Sequence, residues 1–184
     1  MLALMFTVST SFANNETLSL ETKNESKSLV FSMDAQKETV IRLMDVDSNV
    51  IYSDKVSEAT YNKRFNLKNL SNGIYYFTTE DALRKTVHTI SVEGSVVKII
   101  DKKENPKAVF RTNGRMIYVN LLNTNKEDVK IEVYDSSNRL VFSEKRENEM
   151  IIEKAINFQD AYADNYTVVV KDSEDTYYKS ISIN

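Results

Sequence analysis

The fold is decided by two stretches of sequence, VIRLMDVDSNVIYSDK at residues 40–55 and KIEVYDSSNRLVFSEK at residues 130–145. With an offset of 90 residues, Asp45 falls on Asp135 and the apolar positions around both coincide. In each stretch, apolar residues at alternate positions indicate a strand with one buried face. A polar turn and a second strand follow. The shared pattern predicts that each half of the chain contains one copy of the same unit.

The repeat continues toward the C-terminal end of each half. With an offset of 91 residues, FNLKNLSNGIY at 65–75 falls on INFQDAYADNY at 156–166, and TISV at 89–92 falls on SISI at 180–183. Seven short strands in about 75 residues are typical of an immunoglobulin-like sandwich. We therefore predict an all-β fold of two tandem seven-stranded immunoglobulin-like antiparallel β-sandwiches. The strands predicted in the first copy are residues 18–22, 29–33, 39–45, 50–56, 61–67, 74–79 and 85–92.

The predicted boundaries place copy 1 at residues 17–93 and copy 2 at residues 107–184, with a linker at residues 94–106. Within the linker, SVVKIID at residues 95–101 is predicted to extend the last strand of copy 1 beyond a bulge at Gly94. Each copy contains a complete apolar pattern. A single copy is therefore expected to fold alone.

The first thirteen residues, MLALMFTVSTSFA, differ from the rest because they carry no charge and begin with an apolar run. A short apolar core that ends in a small-x-small sequence is typical of a signal peptide, and this one is too short to span a bilayer. We predict a signal peptide at residues 1–13. The missing positive segment suggests that its natural start lies upstream. A first strand or an apolar tail is the alternative interpretation.

Composition argues against several functional classes. The formal net charge is −3, from 24 basic and 27 acidic residues, and the sequence contains no basic stripe for nucleic acid. The absence of cysteine rules out disulfides and thiolate metal sites. Three separated glycines do not form a phosphate-binding fingerprint. His88, the only histidine, is predicted to be an exposed strand residue and not a base or a metal ligand. We expect no enzyme activity and no cofactor.

The best candidate for cation binding is an acidic run after the third predicted strand. Asp45, Asp47 and Asn49 form a D-x-D-x-N sequence, which offers the oxygen ligands that calcium prefers. The alternative, which the sequence favours, is an Asx-rich turn in which the side chains accept hydrogen bonds from nearby backbone groups. A second acidic loop at residues 172–175 has a weaker pattern. No other metal site is predicted.

Tyrosines supply the candidates for contact and for structure. Adjacent aromatic residues on a strand point to opposite faces. Tyr76 and Tyr178 are therefore predicted to face solvent or a partner, with cross-strand packing as the alternative. Tyr75 and Tyr166 are predicted to enter the core and to donate a hydrogen bond to the backbone, as in a tyrosine corner. Gly73 is predicted to form the tight turn before Tyr75.

These motifs resemble the C-terminal sorting domains of the type IX secretion system of Bacteroidota and the related tandem sandwich proteins. The pattern has an Asn-Pro start, here at residues 105–106, and an L-x-x-G-x-Y segment, here at residues 70–75. It also has a D-x-x-G turn, at which this sequence departs from it, since Ser48 and Asn138 replace the glycine. The resemblance implies a sandwich fold, export and a bacterial cell envelope as the location.

Three functions are compatible with these observations. The first is an exported, non-catalytic interaction or structural module that binds an envelope protein or a glycan through sheet faces, loops or strand edges. The second, implied by the resemblance, is a secretion-targeting role in which copy 2, residues 107–184, is a sorting signal. The third is a small carbohydrate-binding or hydrolytic protein. The final compartment is expected to be the periplasm, the cell surface or the medium, with no membrane-spanning segment in the mature chain.

Overall fold

The computed structural model describes residues 18–23, 27–34 and 38–184. All regular structure in these residues is β-strand, which confirms the predicted fold class. The chain divides into two compact units, one within Met1–Phe77 and His88–Asp101, the other formed by Thr78–Val87 and Lys102–Asn184. The predicted signal peptide at residues 1–13 lies outside the described residues.

The first sandwich contains eight strands in two sheets. The strands are β1 (Leu18–Lys23), β2 (Ser28–Asp34), β3 (Thr39–Asp45), β4 (Val50–Val56), β5 (Thr60–Asn66), β6 (Gly73–Glu80), β7 (Arg84–Glu93) and β8 (Val96–Pro106). All seven strands predicted from the sequence are present, and one further strand follows them. One sheet has the strand order β1-β2-β5 and the other has the order β4-β3-β6-β7-β8. Residues 78–87 and 102–106, which include parts of β6, β7 and β8, cluster with the second compact unit.

The second sandwich contains seven strands, as predicted. The strands are β9 (Val109–Asn113), β10 (Met116–Leu122), β11 (Val129–Tyr134), β12 (Leu140–Arg146), β13 (Ile151–Asn157), β14 (Asp164–Lys171) and β15 (Thr176–Ile183). A sheet of order β13-β10-β9 faces a sheet of order β12-β11-β14-β15. This arrangement of three and four antiparallel strands is that of an immunoglobulin-like sandwich.

Each sandwich has its own apolar core, because alternate residues of its strands point inward. In the first core, the ring of Phe77 lies 4.9 Å from that of Phe31 and 5.5 Å from that of Phe65, measured between centroids. The second core is mainly aliphatic and includes the fully buried Ile131 and Val168. The two clusters share no residue.

The two sandwiches have the same irregularity at corresponding positions. The pairing of β3 with β4 shifts register between Leu43 and Met44, and that of β11 with β12 shifts between Val133 and Tyr134. A turn with a residue at positive φ follows in both sandwiches. The predicted correspondence of residues 40–55 with residues 130–145 therefore extends to the backbone.

The structure differs from the prediction at residues 94–106, which are not an irregular linker. Gly94 and Ser95 form a turn, and residues from Val96 onward form β8, which pairs with β7. The chain therefore reverses at Gly94 and does not continue the last strand beyond a bulge. Both a bulge and a two-residue turn use glycine at positive φ, and Gly94 has a φ of +58°. The sequence signal is the same for the two structures.

Candidate functional site

The D-x-D-x-N run forms a hydrogen-bonded turn between β3 and β4. The Asp45 carboxylate accepts hydrogen bonds from the backbone N–H groups of Asp47, at 3.0 Å, and Asn49, at 2.8 Å. The Asn49 side-chain amide donates to the same carboxylate at 2.9 Å. This bond and the backbone bonds lower the pKa of Asp45 below its ordinary value. The N–H groups of the turn therefore already donate to the carboxylate that would bind calcium. Among the residues described, no group of three acidic, His or Cys side chains is arranged to hold a metal ion.

The second sandwich has the same turn at Asp135. Its carboxylate accepts hydrogen bonds from the backbone N–H groups of Ser137 and Arg139, both at 2.9 Å, and from Arg139 Nε at 2.7 Å. Asp135 is buried, whereas Arg139 is exposed. The acidic loop at residues 172–175 is also a turn, in which the Asp172 carboxylate accepts two backbone hydrogen bonds. These carboxylates shape loops.

We expect Asp135→Ala to lower the free energy of unfolding of the second sandwich by about 1–3 kcal/mol, because three donors lose a buried acceptor. Denaturation by urea measures the loss. Asp47→Ala is the control, since Asp47 contributes its backbone N–H and no side-chain bond to the first turn. An equal loss in the two variants would contradict this account of the turn.

Tyr75 and Tyr166 occupy corresponding positions at the start of β6 and β14. Both are buried. The Tyr75 hydroxyl donates to the backbone oxygen of Ser71 at 2.9 Å, and the Tyr166 hydroxyl donates to that of Tyr162 at 3.1 Å. A bond of this kind to a carbonyl a few residues upstream is the geometry of a tyrosine corner. Gly73 begins β6 with a φ of +156°.

Tyr75→Phe and Tyr166→Phe are each expected to lower the free energy of unfolding by about 1 kcal/mol, the usual contribution of one hydrogen bond. Urea denaturation of each variant measures the effect. Tyr178→Phe is the matched control, because Tyr178 is exposed and packs in neither core. Unchanged stability in either corner variant would refute the corner role for that tyrosine.

The two candidate contact tyrosines differ in exposure. Tyr178 on β15 is 66% exposed and lies opposite Val169 on β14. Tyr76 on β6 is half-buried. Tyr177 packs against the second core, and burial raises its pKa above the ordinary value. Tyr178 is thus the candidate available to a partner.

His88 was predicted to be exposed, and this prediction is wrong. The side chain is 5% exposed and its ring lies 6.5 Å from that of Phe77, measured between centroids. The physical reason is β8, which pairs with β7 and makes it an interior strand. An edge strand would have left this position near solvent.

Glu132 is a buried charge that sequence reasoning missed. It lies on β11, on the face opposite the core, where alternation predicts an exposed residue. Its carboxylate accepts hydrogen bonds from Lys130 at 2.5 Å, from Lys171 at 3.0 Å and from the Tyr134 hydroxyl at 3.0 Å. Only 2% of the side chain is exposed. The Lys130 bond, supported by Lys171 and Tyr134, outweighs desolvation and lowers the pKa of Glu132 to about 2.

A second polar cluster lies between β4 and β5 and was also missed. Tyr52 and Tyr61 both donate to the Asp54 carboxylate, at 2.6 and 2.9 Å. The Lys63 ammonium lies over the Tyr52 ring at 4.2 Å from its centroid. The Tyr52 bond is the largest cause of a lowered Asp54 pKa, and burial raises the pKa of Tyr61. Tyr52 and Asp54 are two residues apart on β4, and Tyr61 and Lys63 are two residues apart on β5. This spacing places both members of each pair on one face of their strand, and it was the signal available in the sequence.

The second sandwich has a related arrangement, in which Lys154 contacts Glu144 and lies over the Phe142 ring at 4.8 Å. In both sandwiches, a carboxylate, a lysine and an aromatic ring therefore meet on strands from different sheets. The carboxylate of each cluster is paired with partners inside that cluster. We interpret both clusters as structural.

The family comparison matches the first sandwich, whereas the sorting signal was predicted in the second. A family model described as the secretion system C-terminal sorting domain matches residues 14–93. The first sandwich resembles a sorting domain. This match confirms the resemblance drawn from residues 70–75 and supports export. Among the described residues, no helix has the length and apolar character needed to cross a bilayer.

Three of the solved structures similar to the chain share little sequence with it. The FN1-FN3 domains of chicken CNTN1 are 8% identical over 88% of this chain, with a TM-score of 0.32. A two fibronectin type-III domain segment from chicken tenascin is 7% identical over 91% of this chain and 98% of its own, with a TM-score of 0.33. The BSP domain of a biofilm associated protein is 12% identical over 91% of this chain, with a TM-score of 0.28. The chain spans 61% of the CNTN1 structure and 29% of the BSP structure. No curated protein matches the sequence.

Proposed function

We propose that this protein is an exported, non-catalytic module of a Bacteroidota-type cell envelope, and that its first sandwich directs secretion. The observation that carries the proposal is the sorting-domain match over residues 14–93. The matched strands contribute almost all of the first apolar core, which Val97 of β8 completes from outside the matched residues. The polar groups reported above shape turns or link neighbouring strands, and the proposed role assigns them no catalytic chemistry.

The test is the location of the protein in a bacterium that has such a secretion system and in a strain that lacks it. We expect the full chain to reach the cell surface or the medium in the first strain and to remain in the periplasm in the second. A periplasmic protein without a sorting domain is the control. The same distribution in both strains would contradict the targeting role. Intact mass in each fraction shows whether a sandwich is removed during export.

A second candidate is an interaction module, favoured by apolar side chains exposed at corresponding positions. Val50 and Ile51 begin β4, Leu140 and Val141 begin β12, and all four are exposed. Both strands lie at a sheet edge. Together with Tyr178, they offer apolar surface to an envelope protein or a glycan.

A photo-activated cross-linker in place of Tyr178 tests this second role in cells that export the protein. We expect an adduct of defined mass, and none from a cross-linker at Lys68, an exposed position on the first sandwich. Equal adducts at the two positions would show that Tyr178 marks no specific contact.

A further inference from the structure

The two sandwiches differ at one sheet edge. In the first, the order β4-β3-β6-β7-β8 places β8 outside β7. In the second, the corresponding order β12-β11-β14-β15 ends at β15. Among the described residues, no strand covers the outer edge of β15. An uncovered edge strand presents unpaired backbone N–H and C=O groups, which are a template for another strand.

The covered and uncovered strands have similar sequences. TISV at residues 89–92 of β7 corresponds to SISI at residues 180–183 of β15. Ile90 and Ile181 are both buried, as are Val92 and Ile183. The surface that β8 covers in the first sandwich therefore has a close counterpart in the second.

The turn at Gly94 fixes how β8 lies on β7. In the second sandwich, the turn at Gly114 and Arg115 has the same form, with a glycine φ of +56°, and it pairs Asn113 with Met116. By the same geometry, Glu93 lies opposite Val96, because loop length sets hairpin register. The burial of Val97, 1% exposed, agrees with a position opposite Val92.

Continued along the strands, this register places Asp101 opposite His88. The residue of β15 that corresponds to His88 is Lys179, with an offset of 91. Lys179 is half-buried, and its side chain forms no hydrogen bond or ion pair with the other residues described. Suppose that a partner strand paired with β15 in the register in which β8 pairs with β7. Its residue corresponding to Asp101 would then place a carboxylate opposite Lys179, whose side chain has no ion-pair partner among the described residues. Opposite charges at directly paired positions stabilise a sheet.

We propose that the outer edge of β15 binds an extended strand of a partner protein, with aliphatic residues at two alternate positions and an acidic residue two positions further on. The aliphatic residues pack beside Ile183 and Ile181, and the carboxylate pairs with Lys179. The partner is a polypeptide, because only another backbone supplies the regular N–H and C=O groups that complete the edge. This inference gives the interaction role proposed above a defined surface and rests on that role, but it does not depend on export.

An inward-facing lysine on an edge strand is also a known protection against strand pairing. The protective role and the docking role predict opposite results for one experiment. The probe is a synthetic peptide with the sequence of residues 95–104, SVVKIIDKKE, added to the isotope-labelled full chain. Amide chemical shifts and hydrogen exchange of β15 report docking. We expect saturable shifts and slower exchange at β15 amides.

Charge reversal tests the register. Lys179→Glu is expected to weaken binding of the peptide about tenfold, and a peptide with Asp101→Lys is expected to restore it. Lys68→Glu makes the same change in net charge on the first sandwich and should leave binding unchanged. A circular dichroism spectrum and a urea midpoint close to those of the unaltered chain show that the Lys179→Glu variant is folded.

Three results would overturn the proposal. The first is an absence of β15 shifts, as expected if Lys179 protects the edge. The second is shifts confined to β7, which would mean that the peptide exchanges with β8. The third is a dimer in solution whose β15 amides are already protected, which would assign the edge to a second copy. Each result leaves the secretion test unaffected, so failure of docking and failure of export are separable.

Discussion

Phe77→Ala is expected to lower the free energy of unfolding of the first sandwich by about 3–5 kcal/mol, the range for removal of a buried phenylalanine. Phe77 is fully buried and its ring contacts those of Phe31 and Phe65. The truncation removes apolar area from the core and also leaves a cavity among rings that are too rigid to fill it. The loss is a large part of the stability of a small domain.

The same variant tests whether the two cores are independent. Since the clusters share no residue, the unfolding of the second sandwich should be unchanged in Phe77→Ala. Ile131→Ala is the reciprocal variant, because Ile131 is fully buried in the second core, and we expect it to cost about 2–5 kcal/mol there. Hydrogen exchange of core amides in the two sandwiches distinguishes the effects. A fall of equal size in both sandwiches would show that they unfold as one unit.

The strands and turns were predictable because their causes are local. Alternation of apolar residues sets the buried face of each strand, and Asp45 and Asp135 select a turn by bonding their own backbone. The tyrosine positions follow from the same reasoning, since Tyr75 and Tyr166 each follow a polar loop and begin an apolar strand. Such features require no knowledge of which strands become neighbours.

The errors arose where a neighbouring strand decides the outcome. Gly94 suits a bulge and a turn equally, so the direction of residues 96–106 was not fixed by local sequence. His88 corresponds to Lys179 in the repeat, which favours an exposed position, and the pairing of β8 with β7 overrides that expectation. Glu132 was assigned to solvent for a related reason. The alternation of apolar residues shows on which face of the strand Glu132 lies. It does not show that the long side chains of Lys130 and Lys171 on the same face cover Glu132.

Glu132 also makes the stability of the second sandwich depend on pH. Its pKa in the folded protein is about 2, against an ordinary value of 4.5. A carboxyl group whose pKa is lowered by folding stabilises the folded state at pH values above its ordinary pKa. For Glu132 this stabilisation is lost as the pH falls from about 4.5 through about 2. The shift corresponds to at most about 3–4 kcal/mol. The true value is smaller, because Lys130 and Lys171 are about half exposed and water screens them.

Glu132→Gln separates this contribution from that of the other carboxylates. Glutamine keeps the size of the side chain and removes its charge, so the titration disappears while the packing remains. At pH 7 we expect the variant to be less stable than the unaltered protein, and the difference to shrink by up to about 2 kcal/mol at pH 3. Urea denaturation at the two pH values, followed by hydrogen exchange in β11 and β14, measures the difference. A difference that is the same at both pH values would mean that Glu132 is held by packing alone and that its lysine partners contribute little.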